Sequence, residues 1–158
     1  MSKRCKSCRT EFTVYWTWRH RCAYCHHDYC DKCSERYVHP RPNKAKREEI
    51  CKDCYGELRT AVDDVTVVKG QHVGGHRITE EVCEVETSLW RRDPDAAVWD
   101  AQFLAHHHGA NALLRMRLVK GTDSEPTGRR LRGEHYYSVF RVRGLAAVVK
   151  PTRRTGRG

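Results

Sequence analysis

Eight of the nine cysteines fall between Cys5 and Cys54, where they form four C-x2-C pairs. The pairs are separated by 13, 4 and 17 residues, and the ninth cysteine, Cys83, lies far beyond them. Each C-x2-C turn presents two sulfurs on one side of a tight loop, as a tetrahedral Zn²⁺ with Zn–S distances of about 2.3 Å requires. Because two such turns complete a site, the four turns predict two zinc ions.

The lengths of the intervening segments bear on which pairs share an ion. With four residues between Cys25 and Cys30, the second and third pairs are too closely tethered to surround one ion comfortably. We therefore expect interleaved sites, and the alternatives are sequential pairing into two ribbons or a disulfide framework, which a reducing compartment disfavours. The expected ligands are Cys5, Cys8, Cys30 and Cys33 for the first zinc, and Cys22, Cys25, Cys51 and Cys54 for the second.

Composition places these cysteines in a chain that we expect to be cytoplasmic. The opening MSKRCKSC has no apolar run of a secretory signal, and no segment approaches the roughly 20 apolar residues of a membrane span. Residues 1–60 contain few aliphatic side chains, so metal is expected to replace a core there, since structural zinc supplies about 10–16 kcal/mol of folding energy.

The net charge of +10 is unevenly distributed. By formal charge, residues 1–60 carry +6, residues 61–128 carry −4 and residues 129–158 carry +8. Eight thiolates and two Zn²⁺ would lower the first value to about +2. The basic C-terminal segment is therefore the candidate nucleic-acid contact, with a solubilising end as the alternative.

The cysteine order, together with CRTEF, WRHRCAYC, YCDKCS and EICKDCYGEL, resembles the FYVE zinc finger over about residues 3–60. The resemblance implies a cross-brace fold with two zinc ions that binds phosphatidylinositol 3-phosphate. Its lipid motif, R-(R/K)-H-H-C-R-x-C-G, places Arg19, His20 and Arg21 as the candidate contacts to an anion or a lipid head group. Arg19 and His20 match this motif, whereas Arg21 stands in place of its second histidine. Further departures from the family's pattern are Trp18, Ala23, His26 and Glu49, of which Glu49 replaces an arginine. The resemblance also places Val14, Tyr15 and Trp16 in the loop that enters a membrane or contacts a partner.

A second region follows a Gly-containing connection at 69–77. The sequence predicts a strand at 78–90, a helix that begins at Pro94 after the N-cap Asp93 and ends before Gly109, and two further strands. We expect an α+β chain in which the cross-brace finger (1–68) and linker (69–77) precede a β-α-β-β domain (78–151) with a small antiparallel sheet, followed by a disordered basic tail (152–158).

GANALLRMRL and VRGLAAVVK make this second region similar to the YbjQ-like family of small bacterial domains. The resemblance implies a homo-oligomer, because members of that family often form rings. The family's metal-binding label is not transferred to His106, His107 and His108, since consecutive helical residues point about 100° apart and cannot face one ion.

The sequence contains no phosphate loop or paired-carboxylate motif, and closed four-cysteine zinc sites lack the open position that zinc catalysis uses. We therefore expect a zinc-binding, non-catalytic adaptor that has a protein partner and no small-molecule substrate. Nucleic-acid binding through the basic segment and phosphoinositide or acidic-membrane binding through the finger are the alternatives.

Overall fold

The computed structural model describes residues 3–13, 17–40, 45–127 and 133–152. The chain divides into two compact units: the first comprises Met1–His39 with Ala45–Ala61, and the second comprises Pro40–Lys44 with Val62–Gly158. Helices and small sheets occur together, so the chain is α+β, as predicted. The expected membrane or partner loop, Val14, Tyr15 and Trp16, lies outside the described residues, as does the basic tail after Thr152.

The first unit consists of short strands around the C-x2-C turns. Strand β1 (Arg19–Arg21) pairs antiparallel with β2 (Asp28–Cys30), and β3 (Ser34–Pro40) pairs with β4 (Ala45–Cys51) in a separate sheet. Helix α1 (Lys52–Asp63) follows β4 directly. Four of the seven buried apolar residues described in this unit are cysteines, and the others are Tyr29, Ile50 and Leu58. An interior of this kind needs cross-links, because it contains too little aliphatic surface to fold on burial alone.

The second unit is a four-stranded sheet with one helix. It contains β5 (Thr66–Val67), β6 (His76–Glu86), α2 (Pro94–His107), β7 (Ala112–Pro126) and β8 (Glu134–Pro151), and the strand order is β5-β7-β8-β6. Strands β6 and β7 each pair antiparallel with β8, whereas β5 runs parallel to β7. The sequence pattern missed β5, because two residues are too few to show a periodicity.

Helix α2 begins and ends where its sequence signals predict. The Asp93 carboxylate accepts a hydrogen bond from the Asp95 amide at 3.0 Å, Pro94 occupies the first turn, and Gly109 beyond the helix has a φ of +81°. The helix packs on one sheet face, where the core contains Val85, Ala97, Ala101, Leu104, Leu113, Val142 and Ala146. A smaller cluster of Val73, Ala112, Leu114, Ala147 and Val149 covers part of the opposite face.

Gly144 lies where the sheet tolerates no side chain. A Cβ atom there would lie 2.8 Å from Leu113 Cδ1 and 3.0 Å from the Leu114 carbonyl oxygen. Gly144→Ala therefore forces the buried strands apart, and we expect it to lower the free energy of unfolding of the second unit by about 2 kcal/mol. Gly74→Ala is the matched control, since a Cβ there meets no atom within 4 Å, and equal denaturant midpoints for the two variants would contradict the prediction.

Strands β7 and β8 form a long hairpin that continues past their neighbours. Their pairing extends to Pro126 and Glu134, whereas β6 stops pairing with β8 at Arg143. Residues 90–92 contact this extension. Arg91 forms a β-bridge with Phe140, the Trp90 ring would lie 2.9 Å from a Cβ on Gly121, and Arg92 lies 3.8 Å above the Tyr137 ring. The described part of the chain has two helices, α1 and α2, and neither is long and apolar enough to cross a bilayer.

Candidate metal centres

The first sulfur group joins two turns that are distant in sequence. The Sγ atoms of Cys5, Cys8, Cys30 and Cys33 all lie within 4.8 Å of one another. The Cys5 amide donates to the Thr10 carbonyl at 2.8 Å and the Arg9 amide donates to the Cys5 carbonyl at 3.0 Å, which closes the first turn. In the other turn, the Cys33 amide donates to the Cys30 carbonyl at 2.9 Å.

The second sulfur group likewise joins two turns that are distant in sequence, namely the second and fourth C-x2-C pairs. The Sγ atoms of Cys22, Cys25, Cys51 and Cys54 lie within 4.8 Å of one another. The turn after β1 is closed by the His26 amide, which donates to the Cys22 carbonyl at 3.1 Å. The remaining pair spans the junction of β4 and α1, so Cys54 is presented by the first turn of that helix.

Arg9 and His26, which follow the second cysteine of their turns, occupy equivalent backbone positions. Their φ angles are +64° and +59°, in the left-handed region that glycine adopts most readily. The two turns are therefore alike at this position and in the hydrogen bond from it to the first cysteine, although neither has a glycine there.

The sulfur spacing fits tetrahedral zinc. Four sulfurs at about 2.3 Å from an ion are about 3.8 Å apart. The Cys8 and Cys30 sulfurs are 3.6 Å apart, and those of Cys25 and Cys51 are 4.0 Å apart. Main-chain amides also point at the sulfurs, since the Cys30 amide donates to Cys5 Sγ at 3.5 Å and the Cys51 amide donates to Cys22 Sγ at 3.4 Å. Such donors favour thiolates, the form that binds metal.

Thiol pKa values in the first group are shifted in opposite directions. The Thr10 hydroxyl and main chain lower the pKa of Cys8 to about 6. Burial, together with hydrogen bonds to Cys8 and Cys30, raises the pKa of Cys33 to about 12. At neutral pH the metal-free group therefore retains a proton that zinc must displace, so zinc binding releases protons. With all four thiols ionised, each Zn²⁺–cysteine centre carries a formal charge of −2.

The histidines described in the structure are not further metal ligands of these two cysteine groups. In the described part of the chain, the two cysteine groups are the clusters that could hold a metal, and His26, His27, His106, His107 and His108 belong to neither. At the end of α2, the His107 ring stacks on Phe103 with centroids 6.2 Å apart and meets His108 edge-on. Cys83 lies on β6 and packs against the core beneath α2.

The three residues of β1 that were predicted to contact an anion have different partners in the structure. His20 is buried, and its two ring nitrogens contact the carboxylates of Glu49 and Asp31. Both ring nitrogens of His20 are therefore occupied by carboxylates of the finger itself. Arg19 Nε lies 3.9 Å from the Asp28 carboxylate, and Arg21 Nε donates to the His26 carbonyl at 3.2 Å.

Asp31 was not identified from the sequence as a partner of His20. It lies inside the Cys30–Cys33 turn, and only the folded turn brings it to His20, which is 11 residues away. Glu49 was noted only as a departure from a lipid-binding pattern, yet it contacts the other nitrogen. The indication that the sequence did carry was Glu49 itself, an acidic residue at a position where the FYVE pattern has an arginine.

Comparison with known proteins agrees with this geometry. The family model of the FYVE zinc finger matches residues 1–60. Over 102 residues, which are 60% of this chain, the sequence is 24% identical to the mouse (Mus musculus) protein named FYVE, RhoGEF and PH domain-containing protein 4. That stretch spans 13% of the mouse protein, and no solved structure matches the chain significantly. The N-terminal part of the chain is thus similar to a FYVE zinc finger, and it binds two zinc ions.

Proposed function

We propose that this chain is a non-catalytic adaptor whose zinc finger binds a protein partner. The observation that carries the proposal is the state of His20, whose two ring nitrogens are both engaged by carboxylates of the finger itself. A phosphate group needs convergent donors, and here both ring nitrogens of the central residue of the expected contact are already occupied by Asp31 and Glu49. FYVE domains bind phosphoinositide membranes, so this feature favours protein over lipid as the ligand of this finger.

The two zinc ions serve a structural role in this proposal. Cys5, Cys8, Cys30 and Cys33 hold one ion, and Cys22, Cys25, Cys51 and Cys54 hold the other. Four thiolates complete the coordination of each ion and leave no open position for a substrate or an activated water. The chain accordingly acts by binding, and it needs neither a small-molecule substrate nor a further cofactor. We place this activity in the cytoplasm, where reduced thiols are available for zinc.

Three measurements on the full chain test this function. Native mass spectrometry is expected to find two zinc ions per chain. In flotation with phosphatidylcholine vesicles, recovery should not increase when phosphatidylinositol 3-phosphate is added. Affinity capture with the zinc-loaded chain should enrich a protein that chains carrying both Cys22→Ser and Cys51→Ser do not retain. Flotation that depends on the phosphoinositide, without such a protein, would contradict the adaptor role.

The second unit supplies valency in this proposal. A resemblance to YbjQ-like domains implies a homo-oligomer, and linked fingers would gain avidity from their effective concentration. Strand β6 lies at one edge of the four-stranded sheet, where a second copy can pair. Light scattering at micromolar concentration is expected to give a multiple of 18.4 kDa, and a mass of 18.4 kDa would exclude this oligomer.

Nucleic-acid binding through the basic C-terminal segment is the second candidate, and one cross-strand pair favours it. Arg77 and Lys150 lie directly opposite each other on β6 and β8 and border a cavity of about 570 Å³ together with Pro151 and Thr152. Like charges in such register are destabilising, and no described carboxylate pairs with either of them, so an anion would relieve their repulsion. Tyr136 is exposed for stacking, whereas Arg92 covers Tyr137. A steep loss of affinity for single-stranded DNA with rising salt would support this candidate.

A further inference from the structure

We infer that Arg77 and Lys150 bind the phosphate group of a phosphorylated side chain on a partner protein. This inference rests on the adaptor function proposed above and specifies a chemical mark that the partner carries. Arg77 lies on β6 and Lys150 on β8, and they border a cavity of about 570 Å³ together with Pro151 and Thr152. We call these four residues the phosphate site.

The sheet holds the two cations side by side. Arg77 and Lys150 are direct partners in the register of β6 and β8. The Asn111 side chain accepts from the Val149 amide at 2.8 Å and donates to the Val149 carbonyl at 3.0 Å, so these main-chain groups point away from β6. Because such groups alternate in direction along an antiparallel strand, those of Lys150 point towards β6, and the Cα atoms of this pair are about 5.5 Å apart.

The protein does not neutralise these two charges. All 20 aspartate and glutamate side chains of the sequence belong to residues that the structure describes, and none of them forms an ion pair with Arg77 or Lys150. Both cations are exposed. Like charges that face each other across two strands are destabilising, so an anion bound between them would stabilise this end of the sheet.

The charge and the donors of the phosphate site fit a phosphate monoester. A phosphorylated side chain carries a charge of about −1.5 to −2 at pH 7 and three acceptor oxygens, whereas a carboxylate carries a single charge. The Arg77 guanidinium can donate to two phosphate oxygens at once, and Lys150 adds a second positive charge. Thr152 adds a hydroxyl next to this pair, and its amide, which donates to the Gly75 carbonyl at 2.9 Å, fixes its position.

The charges further along β6 favour a phosphorylated protein over a nucleic acid. The carboxylates that follow Arg77 on this strand are Glu80, Glu81, Glu84 and Glu86. The structure gives Glu80 and Glu84 no ion pair with a described residue. A nucleic-acid strand that ran along β6 would bring further phosphates next to these glutamates, whereas a peptide needs only one phosphate. A basic residue beside that phosphate would meet Glu80, so the pattern fits a phosphorylated side chain with basic neighbours.

Fluorescence anisotropy with the zinc-loaded full chain tests the phosphate site. The probes are a fluorescein-labelled Gly-Ser-Gly-Lys-Gly-Lys peptide with a phosphorylated serine and the same peptide with an unmodified serine. We expect the phosphorylated peptide to bind about tenfold more tightly, because only the phosphate engages both cations. Arg77→Gln and Lys150→Gln should each weaken its binding about tenfold, whereas Arg117→Gln, which removes an exposed arginine of β7, should change the affinity less than about twofold.

A fold defect is distinguished by the denaturant midpoint, which should be the same for the three glutamine variants because each replaces an exposed side chain. Equal affinities for the two peptides, or equal affinities of Arg77→Gln and Arg117→Gln for the phosphorylated peptide, would overturn the inference. So would Arg77-dependent binding of an oligothymidylate that is tighter than binding of the phosphorylated peptide, since it would assign the site to nucleic acid. Zinc-dependent capture of a protein that persists after phosphatase treatment would leave the adaptor function intact and reject only the phosphate site.

Discussion

Chelation of both zinc ions from the full chain will unfold residues 1–60 and leave the second unit folded. Structural zinc contributes about 10–16 kcal/mol, which is comparable to the roughly 5–15 kcal/mol that stabilises a whole typical domain. The apolar interior of the first unit consists largely of the ligands themselves, whereas α2 and the sheet bury their own core. In a ¹H–¹⁵N correlation spectrum, dispersed signals from residues 1–60 should collapse to random-coil positions while those from residues 62–152 persist.

The matched control is the same chain incubated with chelator already saturated with zinc, which should leave every signal in place. Re-addition of two equivalents of Zn²⁺ should restore the dispersed spectrum. If the metal-free chain keeps its dispersed signals after metal loss is verified by mass spectrometry, the view that zinc replaces a core in this unit is wrong.

Replacement of His20 by alanine will destabilise the zinc-loaded finger by about 2 kcal/mol. Removal of one partner from a buried ion pair usually costs about 3–5 kcal/mol, because the remaining charge is left uncompensated. Here the remaining carboxylates of Asp31 and Glu49 are 53% and 34% exposed, so water compensates part of that cost. Since folding and metal binding are coupled, chelator competition should show an apparent zinc affinity at least tenfold weaker.

Arg4→Ala provides the comparison for this variant. Arg4 pairs with Glu11 at 2.6 Å in the same unit, but the two side chains are 63% and 65% exposed. Exposed pairs contribute about 0–1 kcal/mol, so zinc affinity should change little. Equal zinc affinities for the His20 and Arg4 variants would show that the His20 ion pairs do not stabilise the finger.

The zinc content was predictable because it depends on residue type and spacing. Two cysteines separated by two residues fit one tetrahedral ion wherever they occur, so four such pairs predict two ions before any fold is known. The resemblance of residues 3–60 to a FYVE finger rested on the same spacing, and the family model confirms it. Helix α2 was equally predictable from the sequence, since Asp93-Pro94 and Gly109 are local signals at its two ends. The similarity of residues 78–151 to YbjQ-like domains stays a prediction.

Features that depend on tertiary contacts were not predictable. The ion pairs of His20 join residues that are 11 and 29 positions away, and the sequence around His20 itself indicates neither contact. Strand β5 has two residues and exists only because β7 offers a free edge. The strand expected at 78–90 ends at Glu86, since the following residues leave β6 and contact β8 again through Arg91.

The end of the β7–β8 hairpin offers a place to attach probes. The Thr127 amide and hydroxyl both donate to the Gly133 carbonyl, at 3.0 and 2.8 Å, so the chain ends that flank residues 128–132 are held together. Loop closure entropy grows only slowly with loop length, and an epitope or a fluorophore-carrying peptide inserted there should leave the sheet intact. A label at that position would report on the chain in cells without altering either terminus.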